Sequence, residues 1–96
     1  MSAYVIAEVE VTNPVAYRKY AELAPGVTLP SGGRYLARAG KVECLEGLPP
    51  KSRVVVIEFP DMAAARAFYY GKAYQEIIPL RQAASEGRLF LVEGAA

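Results

Sequence analysis

Arg34 and Arg38 lie in the stretch GGRYLARAGK (residues 32–41), which reads as a turn, a strand and another turn. At strand periodicity Arg34, Leu36 and Arg38 share one face. Glu58, inside RVVVIEF, shares a face with Val54 and Val56 in the same way. If these faces are one side of a sheet, a carboxylate and two guanidiniums converge in a mostly apolar space, where an isolated charge is costly and must find a partner. A planar guanidinium pairs well with a carboxylate, supplied either by the protein or by an anionic ligand. Glu58 becomes a base only if burial raises its pKa, a shift that a nearby arginine opposes.

The tyrosines pose a similar choice. Tyr17 and Tyr20 fall on a helical stripe, and Tyr69, Tyr70 and Tyr74 crowd a second helical region. Such residues ordinarily serve as core or interface aromatics whose hydroxyls reach a partner. Tyr17 and Tyr74 are the preferred candidates for a pocket wall. Arg81, in PLRQ, lies near a helix C-terminus, where a cation complements the helix dipole, and is a weaker anchor. Two readings follow. In one, Arg34 or Arg38 anchors an acidic or carbonyl-bearing molecule in a pocket between helix and sheet. In the other, the charges are solvated strand ends or structural ion pairs at a dimer interface.

The elements that position these residues are legible from pattern. AYVIAEVEV alternates, with Val5, Ala7, Val9 and Val11 on one face and Tyr4, Ile6, Glu8 and Glu10 on the other. A helix follows, with Asn13 as N-cap, Pro14 at the first helical position, a stripe of Ala16, Tyr17, Tyr20, Leu23 and Ala24, and a stop at Pro25-Gly26. RYLAR is the second strand. VECLEG is either its hairpin partner or the continuation of one bent strand, and Cys44 within it reads as a small apolar strand residue. RVVVIEF is the central strand, buried on both faces. Asp61 caps the next helix, which halts near Gly71. KAYQEIIPLRQAASEG resumes the helical pattern, with Pro79 kinking or dividing it and Ser85-Glu86-Gly87 ending it, and RLFLVEG closes the chain as a strand.

The order βαββαβ predicts a ferredoxin-like α+β layer: an antiparallel sheet with its helices on one face. Val55, Ile57 and Phe59 then lie under the helices, and Val54, Val56 and Glu58 lie opposite, near Leu36, Ile6 and Leu89 or Phe90. Soluble monomers rarely expose such a patch, so a second copy packing sheet to sheet is expected.

A chain of 96 residues is read as one domain, residues 1–96. Its 53% hydrophobic and 22% charged content excludes a disordered chain. A net charge of +1 with no basic run leaves no electrostatic footprint for nucleic acid or an anionic membrane. MSAYVIAEVEV has no basic leader region and reaches Glu8 early, so the expectation is a cytoplasmic protein without a signal peptide or membrane span. Cys44 is the single cysteine and there is no histidine, which excludes an internal disulfide, a Cys-His nucleophile pair and the common zinc sites. No G-x-G-x-x-G or P-loop occurs, and no cofactor is expected.

Together, GGRYLARAGKVECLEG, RVVVIEFPD, AYQEIIPLRQ and the closing LFLVEG resemble the domain-of-unknown-function family 1330, within the dimeric α/β-barrel superfamily, over nearly the whole chain. The resemblance implies a ferredoxin-like subunit that pairs into a barrel, and it brings no established reaction. Where members commonly carry Ser-Pro-Glu-Tyr, this chain has Gly71, Lys72, Ala73 and Tyr74. Related branches include cofactor-independent quinol oxygenases, lactone isomerases and haem-handling proteins. Without histidine, a histidine axial haem ligand and imidazole acid–base chemistry are excluded here. The expectation is a small homodimer that binds or converts a small acidic or carbonyl-bearing, quinone-like molecule without a cofactor. The alternative is a structural or regulatory dimer with no ligand, its strand charges forming interface ion pairs.

Overall fold

A computed structural model describes residues 1–95. Strand β1 (Ala3–Val11) buries Ala3, Val5, Ala7 and Val9 and turns Tyr4, Ile6 and Glu8 to the opposite side, as the alternation requires. Helix α1 (Pro14–Thr28) starts where expected, with the Asn13 side-chain oxygen accepting from the Ala16 N–H at 3.1 Å and Pro14 supplying a preset φ.

The end of α1 differs from the expectation. The helix runs through Pro25 and Gly26 to Thr28, and the Leu29 N–H donates to the Pro25 carbonyl at 3.0 Å. Proline inside a helix removes one ladder bond. Here it deprives the Ala21 carbonyl of its donor. The buried stripe is also rotated from the one expected: Tyr17, Ala24 and Thr28 are buried and Tyr20, Ala21 and Val27 half-buried, whereas Ala16 is exposed and Leu23 is 43% exposed.

Strand β2 (Arg34–Arg38) and strand β3 (Arg53–Phe59) flank a loop, residues 39–52, that has neither helix nor strand. Residues 42–46 are therefore not a hairpin partner and not a continuation of β2. Cys44 is an exposed loop residue, its Sγ lying 3.5 Å from the Gly47 carbonyl oxygen, and not an apolar strand residue.

Helix α2 (Met62–Tyr70) is capped by Asp61, whose side chain accepts from the Ala64 N–H at 2.8 Å. It is separated from α3 (Lys72–Ala84) at Gly71, and α3 passes through Pro79 without dividing. Strand β4 (Ser85–Glu93) begins at once. Ser85, Glu86 and Gly87 are thus not a helix-ending turn but the part of β4 that pairs with Val11, Glu10 and Val9. Glycine is needed there because a Cβ at position 87 would lie 2.0 Å from the Glu8 carbonyl oxygen.

The strands form one antiparallel sheet in the order β2-β3-β1-β4, with the helices on one face: a ferredoxin-like α+β fold. The core lies on the helix side, where Val5, Ile57 and Phe59 meet Ala24, Ala65, Phe68, Tyr74, Ile77 and Ile78. On the open side the cross-strand row Val56, Ile6, Phe90 is uncovered within the chain, and Phe90 is 39% exposed.

One irregularity decides where the arginines go. Arg34 pairs with Glu58 and Tyr35 with Ile57, but Ala37 pairs with Val56 and Arg38 with Val55, so Leu36 is an extra residue in β2. A bulge of this kind reverses the alternation beyond it. Arg34 and Arg38 therefore occupy opposite sides of the sheet, contrary to the strict period.

Candidate functional site

On the open side, Arg34 Nη2 donates to Glu58 Oε1 at 2.5 Å. That hydrogen bond, followed in weight by a desolvation that works the other way and by lesser bonds from Ser2 and Tyr4, leaves Glu58 below the usual carboxylate range. An ionised carboxylate paired with arginine is a poor base. At the other end of β1, Arg88 and Glu8 form a second pair at 2.9 Å. The two pairs bracket the apolar row of Ile6, Val56 and Phe90.

The helix side holds a cleft between the sheet, α1 and α3. It encloses about 500 Å³ of space including its mouth, yet the centre of a water molecule can range over only about 40 Å³ of it. Such a space is narrow. Val5, Val55, Ile57 and Leu89 form its floor, Ala21 and Ala24 part of its roof. Small residues on α1 leave the gap open, because alanine at these positions cannot fill the distance between helix and sheet.

Polar groups enter this apolar slot at a few points. Tyr20 and Tyr74 share a hydrogen bond between their hydroxyl oxygens at 2.7 Å. Burial first, and then the adjacent Tyr74, push the Tyr20 pKa far above the ordinary phenol value, with Arg81 pulling the other way. Tyr20 is therefore a neutral hydrogen-bonding group at any physiological pH. The Tyr35 hydroxyl donates to Thr28 Oγ1 at 3.1 Å, and that hydroxyl donates to the Ala24 carbonyl at 2.9 Å, so both are satisfied within the fold.

Three arginines, Arg38, Arg53 and Arg81, line the same cleft, and no aspartate or glutamate does among the described residues. Arg38 lies 4.9 Å from the Tyr35 ring centre and donates from Nη2 to the Ala21 carbonyl oxygen at 2.8 Å. Arg53 is stacked 5.2 Å from the Tyr17 ring centre. The Nε atoms of Arg53 and Arg81 are buried without a hydrogen-bond partner.

The candidates named from sequence are thus divided. Tyr17, Tyr74, Arg38 and Arg81 come together in the cleft, while Arg34 and Glu58 pair on the far side of the sheet. Tyr20 and Arg53 were not among the candidates, although both signals were present. Tyr20 follows Tyr17 at helical spacing, and Arg53 precedes Val55, Ile57 and Phe59 at strand spacing. Among the described residues no cluster of three or more His, Cys, Asp or Glu is placed to hold a metal, and no helix is long and apolar enough to cross a membrane.

A ferredoxin-like layer with an apolar helix-side cleft and an uncovered sheet face defines the class of protein. Residues 2–95 match the family described as "Domain of unknown function (DUF1330)", and the chain belongs to that family. No curated protein matches the sequence. Among solved structures, the chain is similar to RPA0582, a protein of unknown function from Rhodopseudomonas palustris, with 21% identity, a TM-score of 0.78, and coverage of 99% of this chain and 83% of that one. It is also similar to SnoaB, described as a cofactor-independent oxygenase from Streptomyces nogalater, at 10% identity and a TM-score of 0.70, covering 99% of this chain and 94% of the other. A dimeric ferredoxin-like protein of unknown function from Jannaschia sp. CCS1 matches at 17% identity and a TM-score of 0.67, with both chains covered completely at 100%. At these identities the likeness establishes the fold alone.

Proposed function

We propose that the protein is a homodimer that binds a small acidic or carbonyl-bearing molecule in the cleft between α1, α3 and the sheet. The observation that carries this reading is that Arg38, Arg53 and Arg81 all line an apolar slot to which, among the described residues, no aspartate or glutamate contributes. Structural arginines in such surroundings ordinarily take protein carboxylates as partners. Here Glu58 and Glu8 are engaged by Arg34 and Arg88 on the opposite side of the sheet.

Assembly is supported by the open face. The row of Val56, Ile6 and Phe90 is apolar and uncovered, the bracketing ion pairs suit an interface rim, and the structural relative from Jannaschia is described as dimeric. The two readings of the strand charges are therefore divided between the faces: Arg34 and Glu58 serve assembly, and Arg38 belongs to the cleft. A cytoplasmic location suits the exposed free thiol of Cys44.

The cleft favours binding over proton abstraction. Its lining presents hydrogen-bond donors and a phenol held neutral, and these can polarise a ligand oxygen but cannot take a proton from carbon. Cofactor-free turnover of the kind named for the Streptomyces relative would require the ligand itself to arrive as the reactive anion.

Thermal melting with a panel of small carboxylic acids, quinones and neutral analogues tests the proposal, since a ligand that binds only the folded state raises the melting temperature. Some members should raise it in the wild type and fail to do so in Ala21→Phe, which obstructs the cleft. A panel without effect, or an equal response in Ala21→Phe, would contradict the reading.

A further inference from the structure

We infer that the cleft is anion-selective and takes a flat carboxylate whose charge is held by Arg53 and Arg81, an inference that rests on the cleft being a binding site. A guanidinium offers five N–H donors and no acceptor. Arg38 already spends one on the Ala21 carbonyl, which leaves Arg53 and Arg81 as the cations with buried, unpartnered Nε–H groups. Neither forms an ion pair among the described residues, whereas Arg34 and Arg88 both do. A buried donor without an acceptor costs free energy, and two such donors on like charges in one slot cost more. A carboxylate within reach of both guanidiniums removes both penalties.

The remaining polar pair has the same character. Tyr20 and Tyr74 carry two hydroxyl hydrogens and use one between them, so one remains to donate. Among the described residues, a ligand in this cleft meets guanidinium and phenol hydrogens and no aspartate or glutamate. An ammonium compound would find three cations, and a neutral amide would leave both Nε–H groups without a charged acceptor. The narrowness of the slot requires a flat body, and the apolar floor of Val5, Val55 and Leu89 suits an aromatic or conjugated one.

Benzoate, benzamide and benzylammonium share one shape and differ in charge, which makes them the probes. Calorimetry on the wild-type protein should show benzoate binding at least about tenfold more tightly than benzamide, and no binding of benzylammonium. Arg53→Met and Arg81→Met should each weaken benzoate by about tenfold or more and leave benzamide unchanged, with Arg53→Lys and Arg81→Lys intermediate. Should the methionine variants fail to fold, the side-chain Nε–Hε resonances of Arg53 and Arg81 in the wild type provide the same test, shifting with benzoate and not with benzamide. Equal affinity for benzamide and benzoate would overturn anion selectivity while leaving the cleft a binding site. Benzoate binding with both resonances unmoved would overturn the assignment to these arginines. Absence of benzoate binding, when a neutral compound of the wider panel does bind, would overturn the inference alone, and absence of any binding would overturn both it and the reading beneath it.

Discussion

Arg38 donates from Nη2 to the carbonyl oxygen of Ala21 at 2.8 Å, and this is the carbonyl that Pro25 leaves without a helical donor. The arginine ties the end of β2 to the middle of α1 and completes the ladder that the proline interrupts. Its charge-bearing group is thus partly spent on the fold.

Removing that tie has a consequence that can be separated from any effect on the proposed binding. Arg38→Met should lower stability by about 1 kcal/mol, the net worth of such a hydrogen bond where water can reach it. Pro25→Ala restores an N–H to the Ala21 carbonyl, so the same arginine substitution should cost less in that background. Urea unfolding of the two single variants and the double variant measures the coupling, and strictly additive effects would contradict it.

Tyr20 makes stability depend on alkaline pH. Its folded pKa lies above the ordinary value of 10.0 that the unfolded chain has, chiefly through burial. A raised pKa contributes stability that is fully present below about pH 10 and is lost as pH rises beyond it, because the unfolded phenol ionises first. Tyr20→Phe abolishes this contribution. The variant should lose about 1 kcal/mol at neutral pH with the 2.7 Å hydrogen bond to Tyr74, and decline less steeply than the wild type above pH 10. Urea midpoints at neutral and alkaline pH provide the comparison, and parallel pH profiles would be evidence that Tyr20 ionises in the folded protein.

Val56 tests assembly. It lies on the open face next to Ile6, with Phe90 beyond, and in the proposed dimer all three are covered. Val56→Lys buries an unpaired ammonium at several kcal/mol, enough to dissociate or unfold the protein. Light scattering at micromolar concentration should give a dimer for the wild type and a monomer or unfolded chain for the variant. A monomeric, soluble wild type would show that the face needs no partner.

What could be read from sequence follows from what is local. The alternation of β1 and β3 assigned Val5, Ala7 and Val9, and Val55, Ile57 and Phe59, to the helix side because every residue in those strands obeys the period. β2 does not: the extra residue at Leu36 sends Arg38 to the other face from Arg34, and nothing in RYLAR marks it. The end of α1 is not legible in sequence, because Pro25 reads as a stop and the arginine that compensates it comes from a distant strand. Gly87 reads as a helix terminator, yet its reason is the close approach of the Glu8 carbonyl. Arg53 obeys the strand period and could have been found by extending it one step before Val55. That its Nε has no partner is a tertiary fact that no local pattern contains.

In the proposed binding mode a ligand enters on the helix side of the sheet. Methyl resonances of the valines and leucines report the two faces separately, since Val5, Val55 and Leu89 line the cleft while Val56 and Val92 lie on the open side. On titration with benzoate, this mode should shift Val5, Val55 and Leu89 and leave Val56 and Val92 unmoved. Shifts confined to Val56 and Val92, beside the Arg34–Glu58 pair, would place binding on the wrong face and contradict it.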